Sequence, residues 1–283
     1  MGFTNFIRNV WSASIEMALQ KVLVFQSVAN TNYEGQLVNL GDEVTILQIG
    51  NPTAKAYTKD TDIAAPEKLN DAASKLKADQ AYYFNFAAND VEAVQAKQQV
   101  LNQCTQNAAF AFADAVDQYM AGLYTQAGLT LYSNATPVDV TSLNVDDVIL
   151  EAGEKMSENN IPRAAGRFMI VPEWFYTKMI LAGLATKTSN DQLYDNSVIT
   201  RRHNFDIIVS NNVSKNSSSW DKTRIICGVR GQSFTFAGVI NSVEPYRPEK
   251  RFEDAVKGLY IFGGKIVRPD KTLVLYADKT VEP

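Results

Sequence analysis

Hydrophobic side chains between residues 89 and 124 repeat at intervals of three, four and seven, the spacing of one face of an α-helix. An uninterrupted helix of this length would extend about 50 Å, several times the usual helix length. Asn89 stands where an N-terminal cap is needed, and Gly128 follows the end of the repeat. We therefore predict one long amphipathic helix. Its apolar face consists of Val94, Leu101, Ala108, Phe112, Ala115, Val116, Tyr119 and Leu123.

The chain before this helix divides into two parts. Residues 1–32 contain a short helical pattern but too few apolar side chains to form a core, so this arm must pack elsewhere. Residues 33–88 predict β-structure, with one strand near 44–49 and an aromatic, alternating strand at 82–86. The segment between these strands is polar and of mixed charge. It is predicted as the long exposed loop of a two-stranded ribbon.

The chain beyond the helix predicts an α/β module and then mostly β-structure. Buried strands are expected at 168–171, 205–209 and 224–229, with a polar loop before the last one. Pro172 suits the first turn of a helix. From Ser233 onward the pattern predicts a closing sheet, with Pro269 in the turn between its last two strands. A second amphipathic helix is predicted from an apolar face made of Val145, Val148, Ile149, Ala152 and Met156.

Composition and charge narrow the class of protein. The 283 residues carry a net charge of −4, spread in both signs, which argues against a dedicated nucleic-acid binder with a basic face. No run approaches the roughly 20 apolar residues of a membrane span. The start of the chain lacks the pattern of a signal peptide. Cys104 and Cys227 are too few for a disulfide framework and are predicted as buried thiols in a reducing compartment.

Candidate catalytic residues are few. His203 is the single histidine, so any Ser-His-Asp or Cys-His site must use it, yet its neighbours are basic and polar and no nucleophile motif precedes it. We expect a surface or structural role for this residue. Asp146 and Asp147 stand where they open a helix, and the helix dipole explains adjacent acids there.

The sequence Gly263-Gly264-Lys265 invites comparison with a phosphate-binding loop. That motif requires glycine at the position of Leu259 and serine or threonine at the position of Ile266, so a strand irregularity is the better interpretation. No group of His, Cys and Asp residues has the spacing of a metal site. We therefore expect neither an enzyme nor a bound cofactor.

The order of these parts resembles the major capsid protein of tailed bacteriophages, which has the fold named for phage Hong Kong 97. The segments VWSASIEMALQK, NYEGQLVNLGDEVTI and QAYYFNFAANDVEAVQA resemble the opening of such coat proteins. The segment FEDAVKGLYIFGGKIVRPDKTLVLYAD resembles their closing sheet. The resemblance covers nearly the whole chain and implies an α+β fold.

The resemblance also implies a division of the chain. Residues 1–32 would be an N-terminal arm, and residues 33–88 an extended loop that lies on an adjacent subunit. Residues 89–139 and 233–283 would form a peripheral domain that contains the spine helix. Residues 140–232 would form an axial domain at the centre of hexamers and pentamers.

The implied function is mechanical: many copies close into an icosahedral shell around double-stranded DNA. The expected partners are other copies of the chain, scaffolding and portal proteins, and packaged DNA through weak non-specific contact, with no membrane. The expected location is the virion capsid, assembled in the host cytoplasm. Charged residues of the extended loop are the predicted subunit-interface residues, namely Lys59, Asp60, Asp62, Glu67 and Lys68.

Two alternatives remain open at this point. An encapsulin-like shell shares the implied fold but encloses protein cargo, and the sequence separates it poorly from a phage capsid. A secreted or surface binding module would fit the polar Asn/Ser/Thr loops, although the absent signal peptide pattern and the long helix weigh against it.

Overall fold

The computed structural model describes residues 23–49, 71–89, 97–184, 201–216, 219–247 and 253–279, together with positions 54, 56, 59, 62 and 249. Within these residues the fold is α+β, with three α-helices and three β-sheets. The helices are α1 (Lys97–Gly122), α2 (Val145–Glu158) and α3 (Glu173–Leu181).

Helix α1 confirms the predicted long helix over 26 residues. Phe112, Val116 and Leu123 are buried as expected, while Ala108, Ala115 and Tyr119 lie at the edges of the buried face. The predicted cap at Asn89 is wrong, because this residue ends a β-strand and pairs with Glu253. Val94 lies outside the described residues, and so does the side chain of Leu101.

A three-stranded antiparallel sheet packs on α1. It contains β3 (Gln80–Asn89), β11 (Phe234–Tyr246) and β12 (Glu253–Ile266), with β12 in the centre. The interface with α1 is aromatic: the ring of Phe112 lies 5.6 Å from that of Phe84 and 5.4 Å from that of Tyr260. The aromatic strand at 82–86 therefore belongs to this sheet and not to the ribbon, which corrects the prediction.

The ribbon is formed by β1 (Glu43–Ile49) and β2 (Asp71–Lys77), which pair from Glu43↔Lys77 to Ile49↔Asp71. The sequence DAASKLK was predicted as part of the loop because it lacks the β-branched and aromatic residues that favour strands. Tertiary contacts compensate for this weak propensity. Leu76 is fully buried, and Lys75 Nζ lies 2.9 Å from a Glu43 carboxylate oxygen across the ribbon.

The largest sheet has eight strands among the described residues. Its central strand β10 (Ser219–Val229) pairs antiparallel with β6 (Arg167–Val171) and β13 (Leu273–Lys279), and β6 pairs parallel with β8 (Phe205–Val209). The predicted buried strands are thus confirmed. The remaining strands are short: β4 (Leu129–Leu131), β5 (Val138–Val140), β7 (Arg201–Arg202) and β9 (Lys215–Asn216).

Two features of this sheet correct the sequence analysis. Strand β13 follows the predicted turn at Pro269–Lys271 but pairs with β10, β4 and β5, so it does not continue the closing sheet of β11 and β12. The predicted polar loop before residue 224 contains β9 and the first residues of β10. The first error arises because an apolar pattern identifies a strand without identifying its partner, and the second because polar residues can form strands that carry no apolar pattern.

The eight-stranded sheet separates two hydrophobic cores. Phe168, Ile170 and Ile226 face the core that contains α1 and the three-stranded sheet. Met169, Ile225 and their neighbours face the core that contains α2 and α3. All five apolar residues predicted for α2 are buried there. Both faces are therefore covered, as expected for strands made of continuous apolar runs.

Cys227 is fully buried in the second core, and this burial raises the pKa of its thiol. The predicted buried thiol is thus confirmed for this residue, while the side chain of Cys104 lies outside the described residues. Within the described part of the chain, the helices are too short or too polar to cross a bilayer.

Candidate interaction surfaces

His203 lies in a two-residue hairpin turn that is held against the start of α2. Arg202 and Phe205 pair across the turn, and both His203 (φ +46°) and Asn204 (φ +68°) adopt the left-handed backbone of a type I′ turn. The carboxylate of Asp146, in the first turn of α2, accepts hydrogen bonds from Arg202 Nε at 2.9 Å and Nη2 at 2.8 Å. It also lies 2.7 Å from His203 Nε2.

This cluster holds the hairpin turn against the start of α2. The hydrogen bond from Arg202 is the main cause that lowers the pKa of Asp146, and His203 adds to it. Asp146 thus remains a carboxylate that orients the hairpin. Among the residues that the structure describes, no group of three or more His, Cys, Asp or Glu side chains could hold a metal ion. The geometry agrees with a structural role for His203.

The ribbon rests on the main body through a small apolar seat. Ile46 and Leu76 of the ribbon pack with Ala237 and Ile261 on the outer face of the three-stranded sheet. Leu37, which precedes β1, completes this cluster. The opposite face of that sheet carries α1. Of the predicted interface residues, Lys59 and Asp62 are exposed. Asp60, Glu67 and Lys68 lie outside the described residues, so the predicted interface stays a prediction.

Two glycines in β12 allow the ribbon and α1 to approach this strand from opposite sides. A Cβ on Gly263 would lie 2.0 Å from the carbonyl oxygen of Lys77 at the root of the ribbon. A Cβ on Gly264 would lie 2.4 Å from Met120 Sδ on α1. Both positions pair regularly with β11, and the strand irregularity lies instead near Ile240. The predicted irregularity at these glycines is therefore wrong, and close packing explains them.

A buried carboxylate on α1 attaches the described end of the N-terminal arm. Asp117 is 3% exposed, and its two oxygens accept hydrogen bonds from the backbone N–H groups of Val24 and Phe25, each at 3.2 Å. Phe25 is itself fully buried and packs edge-on against Phe234. Burial is the main cause that raises the pKa of Asp117 to about 6, although the two N–H groups lower it.

Asp117 should make the stability of the unassembled subunit depend on pH. Because the folded-state pKa of about 6 lies above the ordinary aspartate pKa of 3.8, the folded state binds the proton more tightly. Its contribution to the free energy of unfolding is therefore fully present below pH 3.8 and is lost as pH rises through 6, by roughly 2–3 kcal/mol at most. Asp117→Asn keeps an acceptor oxygen and should remove this pH-dependent contribution to the free energy of unfolding.

The measurement is the free energy of unfolding by urea at several pH values between 5 and 7.5. The exposed substitution Asp139→Asn is the control and should leave the wild-type slope in place. An Asp117→Asn variant with the same pH slope as wild type would show that this carboxylate does not titrate in the folded state.

A groove of about 450 Å³ lies between the C-terminal half of α2 and the turn at His203. The sequence pattern gives no sign of this groove, because Arg167, which lines it, stands at the start of an apolar strand. Arg167 is 1% exposed and donates hydrogen bonds to Gly153 O and Ser157 Oγ, each at 3.0 Å, and to Ile161 O.

Large apolar side chains are exposed at separate places on the surface. Leu143 before α2 is 92% exposed, Tyr83 on β3 is 79% exposed, and Leu181 at the end of α3 is 64% exposed. β3 is also an edge strand of its sheet, and its sequence QAYYFNFAAN has no charged residue. Protected edges usually carry charge, proline or a bulge, so this edge is suited to a contact with another chain.

Comparison with known proteins gives one family and many structural neighbours. Residues 80–275 match the family model described as phage capsid protein. A structure from Mycobacterium phage Che8 superimposes with a TM-score of 0.71 at 22% identity, covering 89% of this chain and 90% of that chain. The capsid structure of cyanophage P-SCSP1u gives a TM-score of 0.68 at 14% identity, with 91% and 89% covered.

A virus-like particle from Pyrococcus furiosus is similar at a TM-score of 0.58 and 10% identity, with 95% of this chain and 99% of that chain covered. Among curated proteins, no sequence matches this chain.

Proposed function

The chain belongs to the phage capsid protein family and is a major capsid protein with the α+β, Hong Kong 97-type fold, and from this premise we propose how it builds a shell. Its role is structural, its main partner is other copies of itself, and its place is the virion capsid. The encapsulin-like shell and the secreted binding module are not favoured by the family match.

In the proposed shell, hexamers and pentamers of this chain close into an icosahedral particle around double-stranded DNA. The observation that carries the proposal is the ribbon of β1 and β2, which has a small apolar seat on its own subunit. The connection between its strands has a sequence of mixed charge, and its described positions 54, 56, 59 and 62 are exposed. A two-stranded ribbon is marginal by itself, so a neighbouring subunit that covers it would stabilise both. Extended contacts of this kind can repeat with small adjustments around a closed shell.

The proposed division of the chain follows the sequence analysis with two changes. The extended loop would comprise 43–77, because β3 is part of the sheet on α1. The axial part would be 140–232 together with β4, β5 and β13, since these strands extend its sheet. The peripheral part would contain α1, β3, β11 and β12. Leu143 and Leu181 would then be covered at contacts between axial parts.

Scaffolding and portal proteins are further proposed partners, with assembly in the host cytoplasm. Contact with packaged DNA would be weak and non-specific. The net charge of −4 supports this, because a protein that neutralises many phosphates carries a basic surface.

The test is the size of the purified protein. We expect capsomers or shells in the megadalton range by size-exclusion chromatography, with closed particles visible by negative-stain microscopy and no cofactor needed for their formation. Nucleic acid inside particles purified from infected cells would support the phage function over an enzyme-cargo shell. A protein that stays monomeric across salt and concentration would contradict the proposal.

A further inference from the structure

The groove beside α2 has two walls of opposite charge. One wall comes from the exposed side of α2 and carries Glu154 and Glu158. The other wall carries the exposed Arg163 and the buried Arg167, with His203 and Asn204 at the end. His203 and Glu158 already have partners, because the imidazole contacts Asp146 at 2.7 Å and Lys155 lies 3.5 Å from Glu158.

The positive charge of Arg167 meets neutral groups within the described residues. Its two terminal nitrogens donate to two backbone carbonyls and one hydroxyl, and its guanidinium carbon lies 6.0 Å from the centre of the Phe205 ring. The Nε atom is buried and has no hydrogen-bond partner in the described structure. A buried donor without an acceptor is costly, and so is a buried charge without a counterion.

Arg163 increases the positive charge at the same place. No carboxylate of the described residues lies within 4.0 Å of either guanidinium group. Burial lowers the pKa of Arg167, and the charge of Arg163 lowers it further. The two arginines therefore repel each other, and an anion bound in the groove would relieve this repulsion.

The groove limits which anion fits. A carboxylate offers two acceptor oxygens in one plane, which match the donors of a guanidinium group. The facing Glu154 and Glu158 disfavour a nucleic acid, because a chain of phosphates would place further negative charge against them. A single carboxylate adds less negative charge to the groove than a chain of phosphates does.

We propose that this groove binds one carboxylate group between Arg163 and Arg167. The carboxylate comes either from a side chain of a second copy of this chain, in which case the inference rests on the proposed shell function, or from a small organic acid. In both cases Arg163 supplies the accessible charge and the hydrogen-bond donors, and Arg167 supplies a second positive charge that is held in place by α2.

Assembly tests the first source. If a second copy supplies the carboxylate, Arg163→Ala should raise the protein concentration needed for assembly about tenfold, while Arg163→Lys raises it less. Sodium acetate at the same ionic strength as sodium chloride should weaken assembly of the wild type and should have no further effect on Arg163→Ala. Lys279→Ala, an exposed cation outside the groove, is the matched control and should assemble normally.

Thermal melting of unassembled subunits tests the second source, and it does not depend on assembly. If a small acid occupies the groove, acetate should raise Tm by roughly 2 °C over chloride at equal ionic strength, with saturation, and Arg163→Ala should abolish the rise. Arg167→Lys keeps the buried charge and should reduce the rise in Tm caused by acetate. It is used because variants that remove this charge are expected not to fold.

The proposal is overturned if Arg163→Ala changes neither assembly nor the response to acetate. It is also overturned if inorganic phosphate acts more strongly than acetate in both assays, because the groove would then select a different anion. Failure of the wild type to assemble would contradict the shell function and leave the melting result to decide the carboxylate site.

Discussion

Val116→Asp should prevent folding of the subunit. Val116 is fully buried on α1, in the core shared with Phe112, Met120 and the three-stranded sheet. An unpaired carboxylate at this position would be removed from water without a hydrogen-bond partner. The expected cost is more than about 3 kcal/mol, a large part of the stability of most domains. We expect insoluble protein or soluble protein without a cooperative thermal transition.

The matched control is Ala111→Asp, on the exposed side of the same helix. It changes the net charge by the same amount and lowers the helix propensity more than Val116→Asp does, yet it should give soluble, cooperatively melting protein. Normal particles from Val116→Asp would show that α1 does not bury this face in the subunit.

Shortening the ribbon loop should abolish shells without unfolding the subunit. We propose replacing residues 58–68 with a short Gly-Ser turn, which removes all five of the predicted interface charges and about half of the connection between β1 and β2. The described positions 59 and 62 are exposed, and loop length has a small effect on stability. If the ribbon contacts a neighbour, however, its loss removes a contact from every subunit of the shell.

Two measurements separate these outcomes: thermal melting for the fold and sedimentation for assembly. Charge reversal at Lys59 and Asp62 should weaken assembly less than the deletion does, and more at low salt than at high salt. Closed shells with normal yield from the shortened chain would show that the ribbon is not an intersubunit arm. Loss of folding would show that the segment supports the core of its own subunit.

The sequence predicted those elements whose pattern is set by a single buried face. Helix α2 is the clearest case, because all five residues of its predicted face are buried. Strand β6 was equally clear, since its continuous apolar run is covered on both sides. Periodicity reports whether a side chain is buried or exposed, and for these elements that information was sufficient to predict the helix or strand.

The sequence did not predict pairings and charges that depend on distant residues. Strand β2 has weak intrinsic preference and is stabilised by contacts with β1 and the seat of the ribbon. Asp117 and Arg167 lie inside apolar patterns, and their partners are 92 positions and 6 to 14 positions away in the chain. Neither residue type nor spacing indicates such partners, so the attachment at Asp117 and the groove at Arg167 required coordinates.

The paired glycines of β12 have a consequence for the geometric accuracy of a large assembly. Gly263 places the root of the ribbon directly on the backbone of a strand whose other side touches α1, with no flexible side chain between them. A strand of seven residues such as β1 is about 23 Å long, so a tilt of about 10° at its root would displace the tip by about 4 Å. Because the ribbon acts as a lever, small errors at its fulcrum become large errors at its end. Gly263 therefore determines the direction in which the ribbon extends. Substitutions should be tolerated less well at the root of the ribbon than at its tip.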